Sequence, residues 1–136
     1  MVESKKTKES KTNINFRKFC TSSGKDVLCG KSAEQNELVV AQSKDSEAVL
    51  HTAAPGSPFC NIKGKATSQD IKETAVICAA FSKSWKQQKT DVEIHVFQGK
   101  DVFKGALMKA GTFGVKKVKS IKAKKADIEN FLGVKR

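Results

Sequence analysis

The 136-residue chain carries 26 lysine and arginine residues against 14 acidic residues, a net charge of +12. Residues 1–18 and 99–136 hold net charges of +4 and +8, whereas residues 19–98 hold nine basic and nine acidic residues and are neutral. Segregated positive charge of this size attracts polyanions, which favours nucleic-acid binding. The longest apolar run, residues 75–81, is too short to cross a membrane, and the lysine-rich N-terminus lacks the apolar segment of a secretory signal.

The sequence contains no recognisable motif for catalysis, a metal or a cofactor. Cys20, Cys29, Cys60 and Cys78 lie too far apart for zinc-finger or zinc-ribbon spacing. We expect reduced, mostly buried thiols, with a Cys20–Cys29 bridge across a hairpin as the alternative. There is no P-loop, GxGxxG, HExxH or nucleophile-elbow motif, and only two histidines are present. We therefore expect no enzymatic step, no metal, no cofactor and no small-molecule substrate.

The first half of the chain predicts two short hairpins separated by a helix. Residues 1–13 are polar and lysine-rich, which predicts a flexible basic tail. Strand-forming residues on either side of a Ser-Ser-Gly-Lys turn predict an opening hairpin. Ser32 and Gln35 have the spacing of a capping box, so a short helix is predicted to start at Ser32. Residues 48–53 and 58–63 are predicted strands around a Pro-Gly-Ser turn.

The second half predicts a buried helix, more strands and a terminal helix. A second capping box at 67–70 precedes apolar and small residues at helical spacing, which predict one long buried helix over residues 71–87. Residues 92–97 alternate as a half-buried strand does. Residues 111–115 and 117–122 predict a final strand pair or one bent strand, and residues 123–132 predict a helix that stops at the following glycine. The pattern predicts an α+β fold, with a single mostly antiparallel sheet packed against one long buried helix plus short helices.

Several segments occur in an order typical of one family. The stretch FRKFCTSSGKDVLCGKSAEQNE, which contains a Gln-Asn-Glu, is followed by ETAVICAAFSKSWK, DVEIHVF and GTFGVKKVKS. This series resembles the NFACT-R (NFACT RNA-binding) domain family, in its stand-alone form, over residues 14–122. Residues 1–13 would then be a basic tail and residues 123–136 a C-terminal basic helix or tail. The resemblance implies a cytoplasmic RNA-binding protein, with tRNA or a ribosomal subunit as its partner, in ribosome-associated translation quality control.

Two positions depart from the pattern of the family. Lys31 stands where the family usually has arginine, which keeps the charge but loses the bidentate fork. Glu47 stands where the family usually has aspartate, four residues before His51. If the carboxylate at that position orients the histidine through a short hydrogen bond, the longer side chain of glutamate changes this geometry.

Basic side chains are the main candidates for contacts with RNA. Six of the ten residues from 116 to 125 are lysines, which we call the lysine strip: Lys116, Lys117, Lys119, Lys122, Lys124 and Lys125. Together with Arg17 and Lys31 they are predicted to contact phosphates, in a groove where the basic residues of both termini converge. The alternative for the strip is a solvated tail. Gly30, Lys31 and the helix start form a second candidate phosphate site, unless the glycine serves only a tight turn.

Asn36 and His51 are candidates for specificity. Asn36 would contact a base edge or a ribose hydroxyl, although a role in holding a neighbouring loop is favoured. His51 would stack on a base or bind a phosphate, with a half-buried structural histidine as the equal alternative. Trp85 is expected in the core and His95 on the surface. The eight phenylalanines are scattered along the sequence, so no aromatic stacking platform is expected.

The favoured hypothesis is a non-enzymatic module that binds structured RNA, either tRNA or ribosomal RNA, mainly through phosphates. Two alternatives stay open. One is a protein-interaction adaptor whose basic ends anchor it at the ribosome, and the other is a general nucleic-acid binder that accepts DNA. Charge alone does not separate RNA from DNA.

Overall fold

The computed structural model of the chain describes residues 15–104, 108–110 and 112–133; the predicted tail at 1–13 lies outside them. The strands are β1 (Arg17–Cys20), β2 (Asp26–Cys29), β3 (Ala48–Thr52), β4 (Cys60–Ile62), β5 (Val92–Gln98), β6 (Val102–Phe103), β7 (Gly114–Val115) and β8 (Lys119–Ala123). The helices are α1 (Ala33–Gln42), α2 (Ser68–Ala80), α3 (Lys83–Gln88) and α4 (Lys125–Leu132). None of the helices in these ranges combines the length and apolar character that a membrane span requires.

Six strands form one antiparallel sheet in the order β1-β2-β4-β3-β5-β8, and β6 pairs with β7 in a separate ribbon. The predicted α+β class with a mostly antiparallel sheet is confirmed. β1 and β8 are the two edges of the large sheet, about 24 Å apart at the usual spacing of ~4.8 Å between strands. Basic residues near the two termini therefore start from opposite edges.

Both faces of the large sheet are covered. Leu50 and Ile94 point into the main core, where they pack under α2 and α4. Val49 and Phe97 point to the opposite face, where they pack with Val39 of α1 and with the β6–β7 ribbon. We call the face with Leu50 and Ile94 the α2 face of the sheet, and the face with Val49 and Phe97 the α1 face.

The predicted long helix over residues 71–87 is wrong in one respect, because it is broken into α2 and α3 at Ser82. α2 begins after Thr67, where the predicted capping box is present. The Ser82 hydroxyl donates to the Ala79 carbonyl at 2.7 Å and accepts from the Trp85 amide at 3.1 Å, so it closes one helix and caps the next. Trp85 is buried in the main core, as predicted.

The C-terminal strands do not pair with each other. The sequence leaves a strand pair or one bent strand for residues 111–115 and 117–122, but β7 pairs with β6 and β8 pairs with β5. The terminal helix is confirmed as α4, which ends at Gly133 in a left-handed conformation with φ 72°. Ile128 of α4 is fully buried in the main core. α4 therefore packs on the domain, although the sequence predicts that the domain ends at residue 122.

Glu47 does not orient His51, which lies toward the other end of β3. The Glu47 carboxylate accepts hydrogen bonds from Lys63 Nζ at 2.7 Å and from the amides of Lys44 and Gly64, both at 2.9 Å. Burial alone would raise the pKa of Glu47, but these hydrogen bonds outweigh it and lower the pKa to about 2. The carboxylate therefore anchors the turn between α1 and β3 to the end of β4.

The cysteines are free thiols, and Cys29, Cys60 and Cys78 are buried, as predicted, whereas Cys20 is exposed. A Cys20–Cys29 bridge does not form, because these residues lie at opposite ends of the β1–β2 pairing. Cys29 and Cys60 face each other across β2 and β4, with their Sγ atoms 2.8 Å apart. Burial, followed by the neighbouring thiols, raises the pKa of Cys60, so this thiol stays protonated.

Candidate nucleic-acid interface

A cleft of about 820 Å³ opens at one end of the large sheet. It is bounded by β1, the start of α1, the loop between β3 and β4, the start of α3, and the β6–β7 ribbon. Four predicted site residues line it: Arg17, Lys31, Asn36 and His51. No lysine of the lysine strip is among the described residues that line it. The fold therefore collects one part of the predicted site and leaves the other part elsewhere.

Positive charge in the cleft comes from Arg17, Lys31, Lys83 and Lys86. No aspartate or glutamate of the described ranges lines the cleft. The Arg17 guanidinium lies over the Phe81 ring, 4.2 Å from its centroid. Such a contact orients a guanidinium through its face and leaves its N–H donors available. The cleft is thus a cationic surface that contains one preoriented guanidinium group.

The wall of the cleft depends on Gly30 and Asn36. Asn36 Oδ1 accepts from the Phe59 amide at 3.0 Å, and Nδ2 donates to the Ser57 carbonyl at 3.4 Å. A Cβ on Gly30 would lie only 2.1 Å from Asn36 Oδ1, so no larger residue fits there. Asn36 therefore holds the loop between β3 and β4, which is the role that the sequence favours for it.

The start of α1 is already partly satisfied by its own side chains. The Lys31 amide donates to Gln35 Oε1 at 2.9 Å, and the Gln35 amide donates to Ser32 Oγ at 3.1 Å. Two backbone donors that an anion would use at this helix start are therefore occupied. The Lys31 side chain, rather than these amides, is therefore the candidate for contact with an anion here.

An aromatic cluster forms one side of the cleft, although the sequence gives no sign of a platform. The rings of His51 and Phe59 lie 4.3 Å apart and are tilted by 35°. Phe59 in turn contacts the rings of Phe97 at 6.3 Å and Phe113 at 5.2 Å, both edge-on. Long-range folding, not sequence spacing, brings these rings together.

The two histidines are neighbours. His51 and His95 are directly opposite each other on β3 and β5, and both line the cleft. His95, which the sequence places on the surface, is half-buried and partly exposed in this cleft. Burial, and then the proximity of His95, lowers the pKa of His51 although its hydrogen bond to the Thr52 carbonyl opposes the shift. His51 is uncharged at neutral pH.

The lysine strip is divided between the two faces of β8. Lys119 is opposite Val96, which packs on the α2 face, whereas Lys122 is opposite Glu93 on the α1 face. Alternation along a strand sends consecutive side chains in opposite directions. The strip therefore does not present one cationic surface.

One acidic residue, Asp91, lies beside the end of the strip. Asp91 lies 3.9 Å from Lys124 Nζ, and its other oxygen accepts from the Lys125 amide at 2.8 Å. The hypothesis that both basic termini converge in one groove is wrong for the described residues, because the strip begins beyond the cleft and runs along the far edge of the sheet. Contacts between individual strip lysines and RNA stay a prediction.

Sequence reasoning missed Lys83, Lys86 and His95 as residues of this cleft. Lys83 and Lys86 are three positions apart, a spacing that puts them on one side of a helix, and this was the available signal. That spacing indicates residues of the cleft only because the helix is broken at Ser82. The Lys83 amide donates to the Gly56 carbonyl at 2.8 Å, which fixes α3 against the loop between β3 and β4.

A family model for the RNA-binding domain of NFACT proteins matches residues 15–117. The chain belongs to the NFACT RNA-binding domain family. Membership in this family supports RNA as its ligand. The match contains every cleft residue discussed above, but it includes only the first two lysines of the strip.

Among solved structures, the C-terminal part of the fibronectin/fibrinogen-binding protein from Streptococcus suis superimposes with a TM-score of 0.76 at 18% identity. The alignment covers 93% of this chain and 53% of that one, so the chain spans about half of the matched structure. Identity at this level shows a shared fold alone. Comparison with curated proteins gives no match.

Proposed function

We propose that the chain is a non-enzymatic RNA-binding module whose cleft contacts the phosphates of structured RNA, such as tRNA or ribosomal RNA. The proposed setting is cytoplasmic and ribosome-associated quality control, because the NFACT proteins that the sequence resembles work there. The proposal differs from the prediction from sequence in one respect. It keeps Arg17 and Lys31 as main contacts and replaces the lysine strip with Lys83 and Lys86.

The observation that carries this proposal is the composition of the cleft. Four cations line it, and no acid of the described ranges does. Cations in a concave surface without nearby acids keep their full attraction for a polyanion, whereas paired cations lose much of it. The preoriented Arg17 adds a planar fork that matches two oxygens of one phosphate.

A salt series tests the proposal against its alternatives. We expect the logarithm of RNA affinity to fall by several units per logarithmic unit of salt, and Arg17→Ala to reduce this slope by about one. Lys18→Ala is the matched control, because Lys18 lies on the same strand and pairs with Asp26 at 3.7 Å outside the cleft. The same measurement with DNA of identical sequence identifies a general nucleic-acid binder.

Two outcomes would reject the proposal. Binding that ignores salt and the Arg17 substitution would favour the protein-interaction adaptor. Equal affinity for RNA and DNA, with an Arg17 effect on both, would replace RNA binding by general nucleic-acid binding.

A further inference from the structure

The cleft has features that phosphate binding alone does not require. Its volume of about 820 Å³ falls within the range of roughly 300–1,000 Å³ that is typical of pockets for small molecules. A paired stem keeps its bases stacked inside and presents its backbone outward, so it would touch the rim of such a cleft and leave the interior empty. The interior is therefore suited to something smaller than a duplex.

One side of the interior is an oriented aromatic ring. Phe59 supports the ring of His51 at a centroid distance of 4.3 Å, and Phe59 itself is only 4% exposed. The part of the His51 ring that stays accessible lines the cleft. A flat ring with fixed support is a surface on which a nucleobase of any identity can stack.

The hydrogen bond of His51 fixes the role of its second ring nitrogen. Nδ1 lies 2.7 Å from the Thr52 carbonyl oxygen, and a carbonyl only accepts, so Nδ1 carries the proton. In the uncharged ring Nε2 is then an acceptor. It is suited to the N–H of a base or to the 2′-hydroxyl of a ribose.

Four cations line the same cleft as this ring: Arg17, Lys31, Lys83 and Lys86. They come from separate elements, because Arg17 lies on β1, Lys31 precedes α1, and the two lysines lie on α3. A nucleotide whose base entered the cleft would have a phosphate on each side of its sugar. Cations that come from several elements are suited to contact both phosphates.

We propose that the cleft receives one unpaired nucleotide of the bound RNA, with its base stacked on His51 and its flanking phosphates at the cationic rim. This inference rests on the proposed function and adds the class of RNA feature that is recognised. A bulge, a loop or a single-stranded end supplies such a nucleotide, and a continuous stem does not.

Two RNAs test the inference: a blunt duplex, and the same duplex with one bulged nucleotide. We expect the protein to bind the bulged RNA about tenfold more tightly, the effect of one base stacked on an aromatic side chain. His51→Ala should remove most of this preference, whereas His51→Phe keeps a flat ring and should retain it. Thermal unfolding of each variant checks that the fold is intact.

A fluorescent base reports stacking directly. With 2-aminopurine at the bulged position, the wild-type protein and His51→Phe should quench its emission on binding, and His51→Ala should not. If His51→Ala does not fold, the preference of the wild-type protein and the quenching by His51→Phe still decide the inference.

The outcomes separate the two proposals. Equal binding of both RNAs, still weakened by Arg17→Ala, would overturn the nucleotide pocket and leave the RNA-binding proposal standing. A preference that survives His51→Ala, or emission that does not change on binding, would also overturn the pocket. No binding to either RNA would reject both proposals.

Discussion

The cleft and the lysine strip are both cationic but differ in how the fold arranges their charge. The cleft gathers four cations from β1, the β2–α1 turn and α3, with no acid of the described ranges among its lining residues. The strip holds six lysines within ten residues, yet the two that lie in β8, Lys119 and Lys122, point to opposite faces, and Asp91 lies 3.9 Å from Lys124 Nζ. Density of charge along a sequence is therefore not density of charge in space.

The largest effect on RNA binding is expected from a substitution that changes the shape of the cleft and leaves its charge unchanged. Gly30→Ala puts a Cβ about 2.1 Å from Asn36 Oδ1 and 2.9 Å from the backbone nitrogen of Asn36. We expect a loss of about 2–3 kcal/mol in the free energy of unfolding, since the α1 start or the neighbouring loop must move. RNA affinity should fall at least about tenfold at a temperature where the variant is folded.

Gly24→Ala is the matched control. Gly24 has φ 91°, but a Cβ there meets no atom within 4 Å, and the residue lies in the β1–β2 turn away from the cleft. We expect a loss of about 1 kcal/mol from backbone strain and unchanged RNA affinity. Chemical denaturation and fluorescence anisotropy measure the two effects. Unchanged RNA affinity in Gly30→Ala would show that the cleft is not the binding surface.

The second prediction compares equal losses of charge in the two regions. Lys83→Ala with Lys86→Ala removes two cations from the cleft, and Lys119→Ala with Lys125→Ala removes two exposed cations from the strip. We expect the cleft pair to weaken RNA binding about tenfold and to lower the salt slope by about two. The strip pair should change affinity about twofold, as a general effect of net charge. Equal effects would return the strip to the role that the sequence predicts for it.

The same contrast, between local sequence signals and positions set by the fold, explains which helices and strands the sequence predicts correctly. Capping boxes at Ser32 and Thr67 and the alternation over 92–97 are local signals, and the elements that they predict are present. The break at Ser82 was missed because a serine fits a helical stripe of small residues as well as it caps a helix. Local pattern does not distinguish these two uses of one hydroxyl.

The candidate site was predicted only in part for a related reason. Arg17, Lys31 and His51 were found from residue type and resemblance, but nothing local indicates that they meet Lys83 and Lys86. That meeting depends on the antiparallel order of the strands and on the hydrogen bond between Lys83 and Gly56. The lysine strip was found easily because it is contiguous, and alternation along a strand already indicates that its lysines point to two faces, but the register of β8 decides which face each one takes.

A third prediction tests that division within the strip. Lys122 lies on the α1 face next to Glu93, on the same side of β5 as His95, and His95 lines the cleft. Lys119 lies on the opposite face. We expect Lys122→Ala to weaken RNA binding about twofold to threefold and Lys119→Ala to leave it within error, because Lys122 shares a face of the sheet with the cleft residue His95 and Lys119 does not. A larger effect at Lys119, measured by titration at low salt, would place the RNA on the other face.

The smallest expected effect is a pH dependence of stability and RNA affinity. Only the cleft should produce it, because the cleft contains histidines whereas the strip contains only lysines. The pKa of His51 is lowered from 6.5, first by burial and then by His95. The folded state therefore favours uncharged His51, and its contribution to stability is present above about pH 6.5 and is lost as the pH falls through the lowered pKa. Lowering the pH should thus reduce the free energy of unfolding slightly.

Binding should respond in the same direction. Protonation removes the Nε2 acceptor that the bound nucleotide would use, so RNA affinity should fall about twofold to threefold between about pH 7.5 and about pH 5.5. His51→Phe should abolish both trends, since its ring does not titrate, while Lys119→Ala should retain them. Anisotropy titrations and denaturation curves at the two pH values measure binding and stability separately. An equal fall in affinity for His51→Phe would assign the pH response to groups outside this ring, and His95 would be the next residue to replace, because it faces His51 across β3 and β5.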